Sequence, residues 1–246
     1  MNQRLDSSVY PMHDRLDLIT THWSRIHDPA HFVLRYASAV RRYMGAILKD
    51  IDQVDEACHD FILRVVQKGL NHADPASGRF RDYLKAAVRN AALSQFRKQK
   101  RTLASMEMCS VEPTVPSKVE EEADAAWLAE WRRCLLDRAL MTLKHSQRDQ
   151  EQALYYRALR LVMKYPEENS TQLADRLSEQ LHRRVRADTF RKQVSRARRI
   201  FAQLLVEEVI KTLRDATPER IEDELQILGL WDIVNPIILT QAGVAD

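Results

Sequence analysis

Apolar residues recur at every third or fourth position along most of the chain, which is the period of amphipathic α-helices. Asp28 and Pro29 combine a capping residue with a first-turn proline, so the first helix is predicted to begin there. A second helix is predicted near 52–68 and a third over about 80–101, with the loop "NHADPASG" between them. The apolar faces of these helices contain Phe32, Tyr36, Val40 and Tyr43; Val54, Ala57, Phe61 and Val65; and Phe80, Leu84, Val88, Ala91, Ala92 and Phe96.

The pattern changes over residues 102–124. The stretch "SVEPTVPSKVEEEAD" has two prolines, an acidic run and no aromatic residue. A segment of this composition has little apolar surface to bury and does not fold on its own. We therefore predict a flexible acidic linker over residues 102–124.

A second helical block is predicted over residues 125–213. Within it, Ser170 is expected to cap a short helix and Asp188 a long one, and the turn "HRRVRA" separates the two. A short helix, a turn and a capped longer helix form the pattern of a helix-turn-helix. Beyond this block, Thr217 and Pro218 begin one more amphipathic helix.

Composition favours an all-α protein in the cytoplasm. Five glycines in 246 residues leave little material for tight β-turns or phosphate-binding loops, and helix-favouring residues are plentiful. Three cysteines without a CxxC pair argue against a disulfide framework and against a Cys-based zinc site, and they fit a reducing compartment. No apolar run approaches the roughly 20 residues of a membrane span, and the N-terminus lacks a signal-peptide pattern. The sequence thus predicts no membrane insertion.

Charge is unevenly distributed although the formal net charge is only +3. The third predicted helix carries a polar strip at positions i, i+4, i+7 and i+11, formed by Asn90, Ser94, Arg97 and Arg101, and a basic ridge formed by Arg81, Lys85 and Arg89. Lys and Arg neutralise phosphates, and Asn and Arg hydrogen-bond to base edges. On its own, this strip is more typical of a solvated basic face than of a binding site.

The long helix after "HRRVRA" has the stronger signal. A recognition helix reads the DNA major groove from its first turns, and polar residues occupy those turns here. They are Arg191, Lys192, Ser195, Arg196 and Arg199. Two basic blocks joined by an acidic linker indicate bipartite binding to nucleic acid, because tethering raises the effective concentration of the second contact.

Patterns typical of enzymes are weak. His22, His27, His31 and the pair Cys58-His59 offer metal-binding atoms, but no second ligand pair lies at a familiar spacing. The carboxylates of "DQVDEACHD" suit a binding or solvated face better than an acid/base pair. Neither a glycine-rich phosphate motif nor GxSxG occurs. The sequence predicts no catalytic site, no metal site and no cofactor.

Several segments resemble one known family. Trp23-Ser24, "DQVDEACHDFILRVV", "ADPASGRFRDYL" and "AAVRNAALSQFRKQKR" resemble region 2 of bacterial RNA polymerase sigma factors of the extracytoplasmic-function (ECF) type. "STQLADRLSEQLHRRVRADTFRKQVSRARRIFAQLLVEEVIKTL" resembles their region 4. A turn of this length followed by "RARxxFAxLLxEEV" is similar to a subgroup common in planctomycete-like bacteria. The resemblance spans about Thr21 to Leu213, with both blocks in the family's order.

The resemblance implies an alternative sigma factor, a protein that binds core RNA polymerase and directs promoter recognition and transcription initiation. The fold it implies is all-α, with a region 2 helical bundle and a region 4 helix-turn-helix joined by a flexible linker and followed by a short helical extension. The corresponding segments are 1–20 (N-terminal segment), 21–101 (region 2), 102–124 (linker), 125–213 (region 4) and 214–246 (C-terminal extension).

The resemblance also implies roles for individual residues. Those that match the helix binding the clamp helices of the polymerase's largest subunit are Asp52, Asp55 and Phe61. Those that lie where the family contacts the promoter −10 element are Arg89, Asn90, Ser94, Arg97, Lys98 and Arg101, and residues 71–78 lie where it captures a flipped base. Those that match the helix reading the −35 element are Arg191, Lys192, Ser195, Arg196 and Arg199. The polymerase flap and an anti-sigma factor are further implied partners.

The chain departs from the family pattern at Glu56 and Cys58, which replace an apolar residue and a glutamine common in the clamp-binding helix. The main alternative is a stand-alone helix-turn-helix regulator that binds duplex DNA without polymerase, but it leaves the first block unexplained. A small nuclease and a structural helical adaptor are further alternatives. The nuclease requires metal-dependent turnover, and the adaptor requires DNA binding without salt dependence.

Overall fold

The computed structural model describes residues 29–68, 79–104, 116–146 and 154–235, with side chains from residue 35 in the first range and up to residue 98 in the second. These residues are helices joined by short turns and contain no strand, which confirms the predicted all-α fold. The helices are α1 (Pro29–Leu48), α2 (Ile51–Lys68), α3 (Phe80–Ala104), α4 (Ser117–Ser146), α5 (Tyr155–Lys164), α6 (Ser170–Leu181), α7 (Ala187–Ile210) and α8 (Pro218–Ile227). None of the described helices is both long and apolar enough to cross a membrane.

The chain divides into two compact units. The first comprises Met1–Trp127 and Ile210–Ile221, and the second comprises Leu128–Val209 and Glu222–Asp246. The first unit thus includes a short segment near the C-terminus, and the bounds of both units differ from those of the segments predicted from the sequence. The N-terminal segment 1–20 lies outside the described residues.

In the first unit, α1, α2 and α3 pack around a shared apolar core. Helix α1 is kinked at Tyr36, where φ is −115° and ψ is 15°. The Asp50 carboxylate accepts the backbone N–H of Gln53 at 3.0 Å, so Asp50 caps the start of α2. The buried side chains of this core include Tyr36, Val40, Tyr43, Met44, Val54, Ala57, Phe61, Val65, Phe80, Leu84, Val88 and Ala92. All of them except Met44 are apolar positions named from the helical period in the sequence.

The prediction of a flexible linker over residues 102–124 is wrong at both ends, since α3 continues to Ala104 and the last part of the segment is helical as well. Helix α4 begins at Ser117, and Ala123 and Trp127 expose 0% and 1% of their surface. The Trp127 ring meets the Tyr43 ring edge-on, with centroids 5.9 Å apart. The spacing of four residues between Ala123 and Trp127 gives this acidic segment a buried helical face, which its composition conceals. Residues 105–115 lie outside the described part of the chain.

In the second unit, α5, α6 and α7 share one core, formed by Leu154, Ala158, Leu161, Leu173, Ala174, Leu177, Val185, Phe190 and Val194. The predicted cap of α6 is wrong by one residue. Asn169 is the cap, because its side chain accepts the N–H of Gln172 at 3.1 Å while the Gln172 side chain accepts the N–H of Asn169 at 2.9 Å. The predicted cap of the long helix, Asp188, instead lies in the first turn of α7.

The predicted extension 214–246 is packed over its described residues. The Thr217 hydroxyl accepts the N–H of Arg220 at 3.4 Å, at the start of α8. Helix α8 ends at Ile227, and Gly229 just beyond it has a φ of 61° and occupies the left-handed position of a Schellman motif. Buried side chains of this segment are Ile221, Leu225, Leu228, Leu230 and Val234. Just before it, in the first unit, the Thr212 carbonyl accepts the N–H of Phe80 at 3.0 Å at the start of α3.

Candidate nucleic-acid interface

Helix α3 has a buried face and an exposed polar strip. Leu84, Val88 and Ala92 are each fully buried, whereas Asn90, Ser94 and Arg97 are exposed at positions i, i+4 and i+7. Among the described residues, no carboxylate lies within ion-pair distance of Arg97. Helical geometry therefore presents an amide, a hydroxyl and an uncompensated guanidinium on one strip. Arg101 also lies in α3, with a side chain outside the described set.

Two of the three residues of the basic ridge, Lys85 and Arg89, pair with the start of α4, whereas Arg81 is buried and pairs with Asp82. Arg89 donates two hydrogen bonds to the Glu120 carboxylate, at 2.8 and 3.0 Å, and Lys85 pairs with Asp124 at 3.0 Å. The hydrogen bond to Glu120 raises the pKa of Arg89 above its usual value. The predicted DNA contact Arg89 is thus engaged within the first unit. Sequence reasoning missed Glu120 and Asp124, whose spacing of four residues places both on one face of a helix.

Tyr43 lies beneath the ion pairs that join α3 and α4. Its ring is fully buried. Burial, reinforced by the negative charge of Asp124, raises its pKa from 10.0 to about 12. A neutral phenol therefore backs the carboxylates of α4, and its ionisation would place a third negative charge beside them.

Two of the three residues predicted to contact the polymerase clamp are exposed on α2. Asp52 lies exposed in the first turn, and Asp55 is exposed and forms an ion pair with Arg41 of α1. Phe61 is different, because only 4% of its surface is exposed and it packs in the core of the first unit. Its prediction as a direct contact needs correction: an aromatic residue on the apolar side of α2 stabilises the helix packing.

The exposed side of α2 includes apolar residues that sequence reasoning missed. Ile51, Leu63 and Val66 expose 71%, 44% and 50% of their surface. At about 100° per residue, they lie with Asp52 and Asp55 within one sector of about 120° on α2. Their exposure could have been predicted, because they lie on the charged side of a helix whose other apolar residues lie on the opposite side.

The two positions that depart from the family pattern have different environments. Glu56 is exposed and accepts from Gln95 at 3.0 Å and from Lys98 at 3.4 Å, both on α3. Lys98, another predicted DNA contact, is thus paired. Cys58 is buried, with its Sγ 3.5 Å from the sulfur of Met44, and burial raises the pKa of its thiol. Cys58 therefore belongs to the core and not to the exposed face of α2.

In the second unit, α7 separates apolar and basic residues in the same way. Phe190, Val194 and Ala197 are buried, and the five predicted contacts from Arg191 to Arg199 are exposed. Arg191 pairs with Asp188. Within the described ranges, no carboxylate pairs with the remaining basic contacts, Lys192, Arg196 and Arg199.

The described residues contain no cluster of three or more His, Cys, Asp or Glu side chains suited to holding a metal ion. The histidines weighed and set aside as metal ligands, His22, His27 and His31, and the loop 71–78 lie outside the described side chains.

Comparison with known protein families finds a similarity for part of the first unit. Residues 32–102 match a family model described as Sigma-70 region 2. These residues, less than a third of the chain, are therefore similar to sigma-70 region 2. This match supports membership of the sigma-factor family, with a role in RNA polymerase binding and promoter recognition. The sigma-70 region 2 match covers α2 and nearly all of α1 and α3, which carry the polar strip and the exposed acidic face described above. No curated protein and no solved structure matched the chain.

Proposed function

We propose that the chain is an alternative sigma factor of the ECF type that binds core RNA polymerase in the cytoplasm and directs it to particular promoters. The observation that carries the proposal is the sigma-70 region 2 match, together with the Asn90, Ser94 and Arg97 strip that α3 exposes within it. The role is not catalytic. The chain supplies contacts to polymerase and DNA, and the polymerase performs the chemistry.

Helix α2 is the proposed polymerase-binding element. Its exposed face combines the carboxylates of Asp52 and Asp55 with the apolar side chains of Ile51, Leu63 and Val66. Exposed apolar side chains among charges are typical of protein–protein interfaces. An acidic and apolar face suits the clamp helices of the largest subunit if those helices present basic and apolar residues.

The DNA contacts are proposed for both units. Asn90, Ser94 and Arg97 on α3 would bind the −10 region, and residues 71–78 would take a flipped base. Arg101 would add a further contact. Arg89 and Lys98 would do so after their ion pairs with Glu120 and Glu56 break. On α7, the exposed basic side chains would read the −35 element as the recognition helix of a region 4 helix-turn-helix. The long turn before α7 is consistent with the planctomycete-like subgroup. An anti-sigma factor and the polymerase flap remain proposed partners.

Co-purification with core polymerase tests the proposal. The tagged chain should retain core polymerase, and Asp52→Lys combined with Val66→Glu should weaken retention by at least about tenfold, which corresponds to about 1.4 kcal/mol. Ile227→Glu is the matched control, because Ile227 is an exposed apolar residue of α8. A chain that never retains core polymerase, under conditions where a known sigma factor does, would refute the proposal.

A second candidate function is a stand-alone DNA-binding regulator. The uncompensated charges of Lys192, Arg196 and Arg199 favour it, but it gives no role to the region 2 domain. Footprinting separates the two: a regulator protects its duplex site without polymerase, whereas a sigma factor protects promoter DNA strongly only together with core polymerase.

A further inference from the structure

The turn between α6 and α7 carries three exposed arginines that the site described above does not include. Arg183, Arg184 and Arg186 lie within four residues, immediately before the basic face of α7. No acidic side chain in the described part of the chain forms an ion pair with any of them. The turn therefore presents concentrated positive charge, in contrast to Arg191, which Asp188 partly neutralises.

The backbone on the α6 side of this turn is fixed by hydrogen bonds. Helix α6 ends with His182 in the left-handed region at a φ of 50°. The N–H groups of His182 and Arg183 donate to the carbonyls of Glu179 and Ser178 at 3.3 and 3.2 Å, which is the Schellman arrangement. Histidine adopts this conformation less readily than glycine, so the surrounding contacts must hold it there.

The α7 side of the turn is fixed by one hydroxyl and one apolar residue. The Ser178 hydroxyl accepts the N–H of Val185 at 2.8 Å and donates to the Ala174 carbonyl at 2.7 Å. Val185 is 8% exposed and belongs to the core shared by α5, α6 and α7. With Val185 pointing inward, Arg184 and Arg186 on either side of it are held outward. The turn thus holds its arginines in a fixed, outward orientation.

We propose that Arg183, Arg184 and Arg186 bind backbone phosphates of duplex DNA beside the groove that α7 enters. Arginine binds phosphate oxygens in a bidentate manner, and a pre-ordered backbone reduces the entropy lost on binding. Phosphate contacts fix the register of a recognition helix without reading sequence. The inference rests on the proposed function to the extent that α7 reads duplex DNA, and it adds a sequence-independent anchor to that contact.

Salt dependence of binding measures such contacts directly. The full chain is titrated onto a fluorescent duplex of arbitrary sequence at several salt concentrations, with anisotropy as the readout. Removing one cation that neutralises a phosphate reduces the slope of log K against log salt by about 0.9. Arg183→Gln with Arg184→Gln should therefore reduce the slope by about 1.8, and adding Arg186→Gln should reduce it by about 2.7. The matched control is Arg157→Gln with Arg160→Gln, two exposed arginines of α5.

An unchanged slope in the turn variants, an equal reduction in the α5 control or no binding of duplex by the wild type would each overturn the inference. An acidic protein partner for the turn would appear as the first of these outcomes. Failure of the proposed sigma role is distinguishable, because it appears in the co-purification with core polymerase and does not alter this slope.

Ser178→Ala tests whether the Ser178 hydroxyl fixes the backbone of the turn, without changing any charge. Removal of the hydroxyl leaves the Val185 N–H without its partner and loosens the turn. The affinity for the duplex should fall severalfold while the salt slope stays the same, since every cation is still present. Unchanged affinity would show that the hydroxyl does not position the arginines. Circular dichroism verifies that the helices remain formed.

Discussion

Phe61 and Ile51 lie on the same helix and differ in what their side chains can do. Phe61 is 4% exposed and Ile51 is 71% exposed. Phe61→Ala should lower the free energy of unfolding by about 3–5 kcal/mol, because it leaves a cavity in the core. Ile51→Ala should change it by no more than about 0.5 kcal/mol. Urea unfolding of both variants measures this. Equal, small effects would mean that Phe61 is not a core residue.

Tyr43 gives the first unit a defined sensitivity to alkaline pH. Its pKa is raised from 10.0 to about 12, so the folded protein keeps a proton that the unfolded chain has already released. Stability is therefore fully present below pH 10 and falls as pH rises towards 12, by at most about 1.4 kcal/mol per pH unit. Tyr43→Phe removes this contribution. The stability difference between Tyr43→Phe and wild type should grow in favour of the variant across that window in denaturant unfolding, and a constant difference would contradict the assignment.

At the scale of elements, the proposed DNA contacts predict that the start of α4 competes with DNA for Lys85 and Arg89 of the basic ridge of α3. Glu120→Gln with Asp124→Asn frees Arg89 and Lys85 from the contacts at 2.8–3.0 Å. Binding of single-stranded DNA by the full chain should tighten, and its salt slope should rise by about 1 to 2. Stability should change little, since exposed ion pairs contribute about 0–1 kcal/mol each.

Glu121→Gln with Glu122→Gln is the matched control for this double variant. It removes the same charge from the same turn of α4, at two exposed positions that do not pair with α3. Equal gains in DNA binding from both double variants would indicate a general charge effect and would refute the competition. A gain confined to the Glu120 and Asp124 variant supports it.

Most of the helices were predictable from the sequence, because their apolar residues follow the helical period over several turns. Val54 and Val65 on α2 and Leu84 and Val88 on α3 are buried where that period places them. The helix at residues 117–124 was missed because its stability comes from contacts with α1 and α3, which local composition does not reveal. The same holds for the pairing of Thr212 with Phe80, which joins segments far apart in the sequence.

The candidate site was predictable only in part. Helical spacing placed Asn90, Ser94 and Arg97 on one exposed strip, as the structure confirms. Which cations already have a partner depends on tertiary contacts, so the pairing of Arg89 with Glu120 required the structure. The functional roles of all these residues stay predictions.

At the scale of the whole molecule, the central claim is that the region 2 domain makes this chain a promoter-specificity subunit. Arg97→Glu should keep the binding of core polymerase, because α2 is unchanged, and should abolish promoter opening by reversing a charge on the α3 strip. Binding of core polymerase and promoter opening are each compared between the variant and wild type after reconstitution with core polymerase. Loss of both properties would mean that the strip has been assigned wrongly.

The most direct measurement is transcription in vitro by core RNA polymerase on DNA from the protein's own host, with and without the purified chain, followed by sequencing of the transcript 5′ ends. The account predicts discrete start sites that depend on the chain and share one sequence element upstream. Start sites that are identical with and without the chain would contradict it.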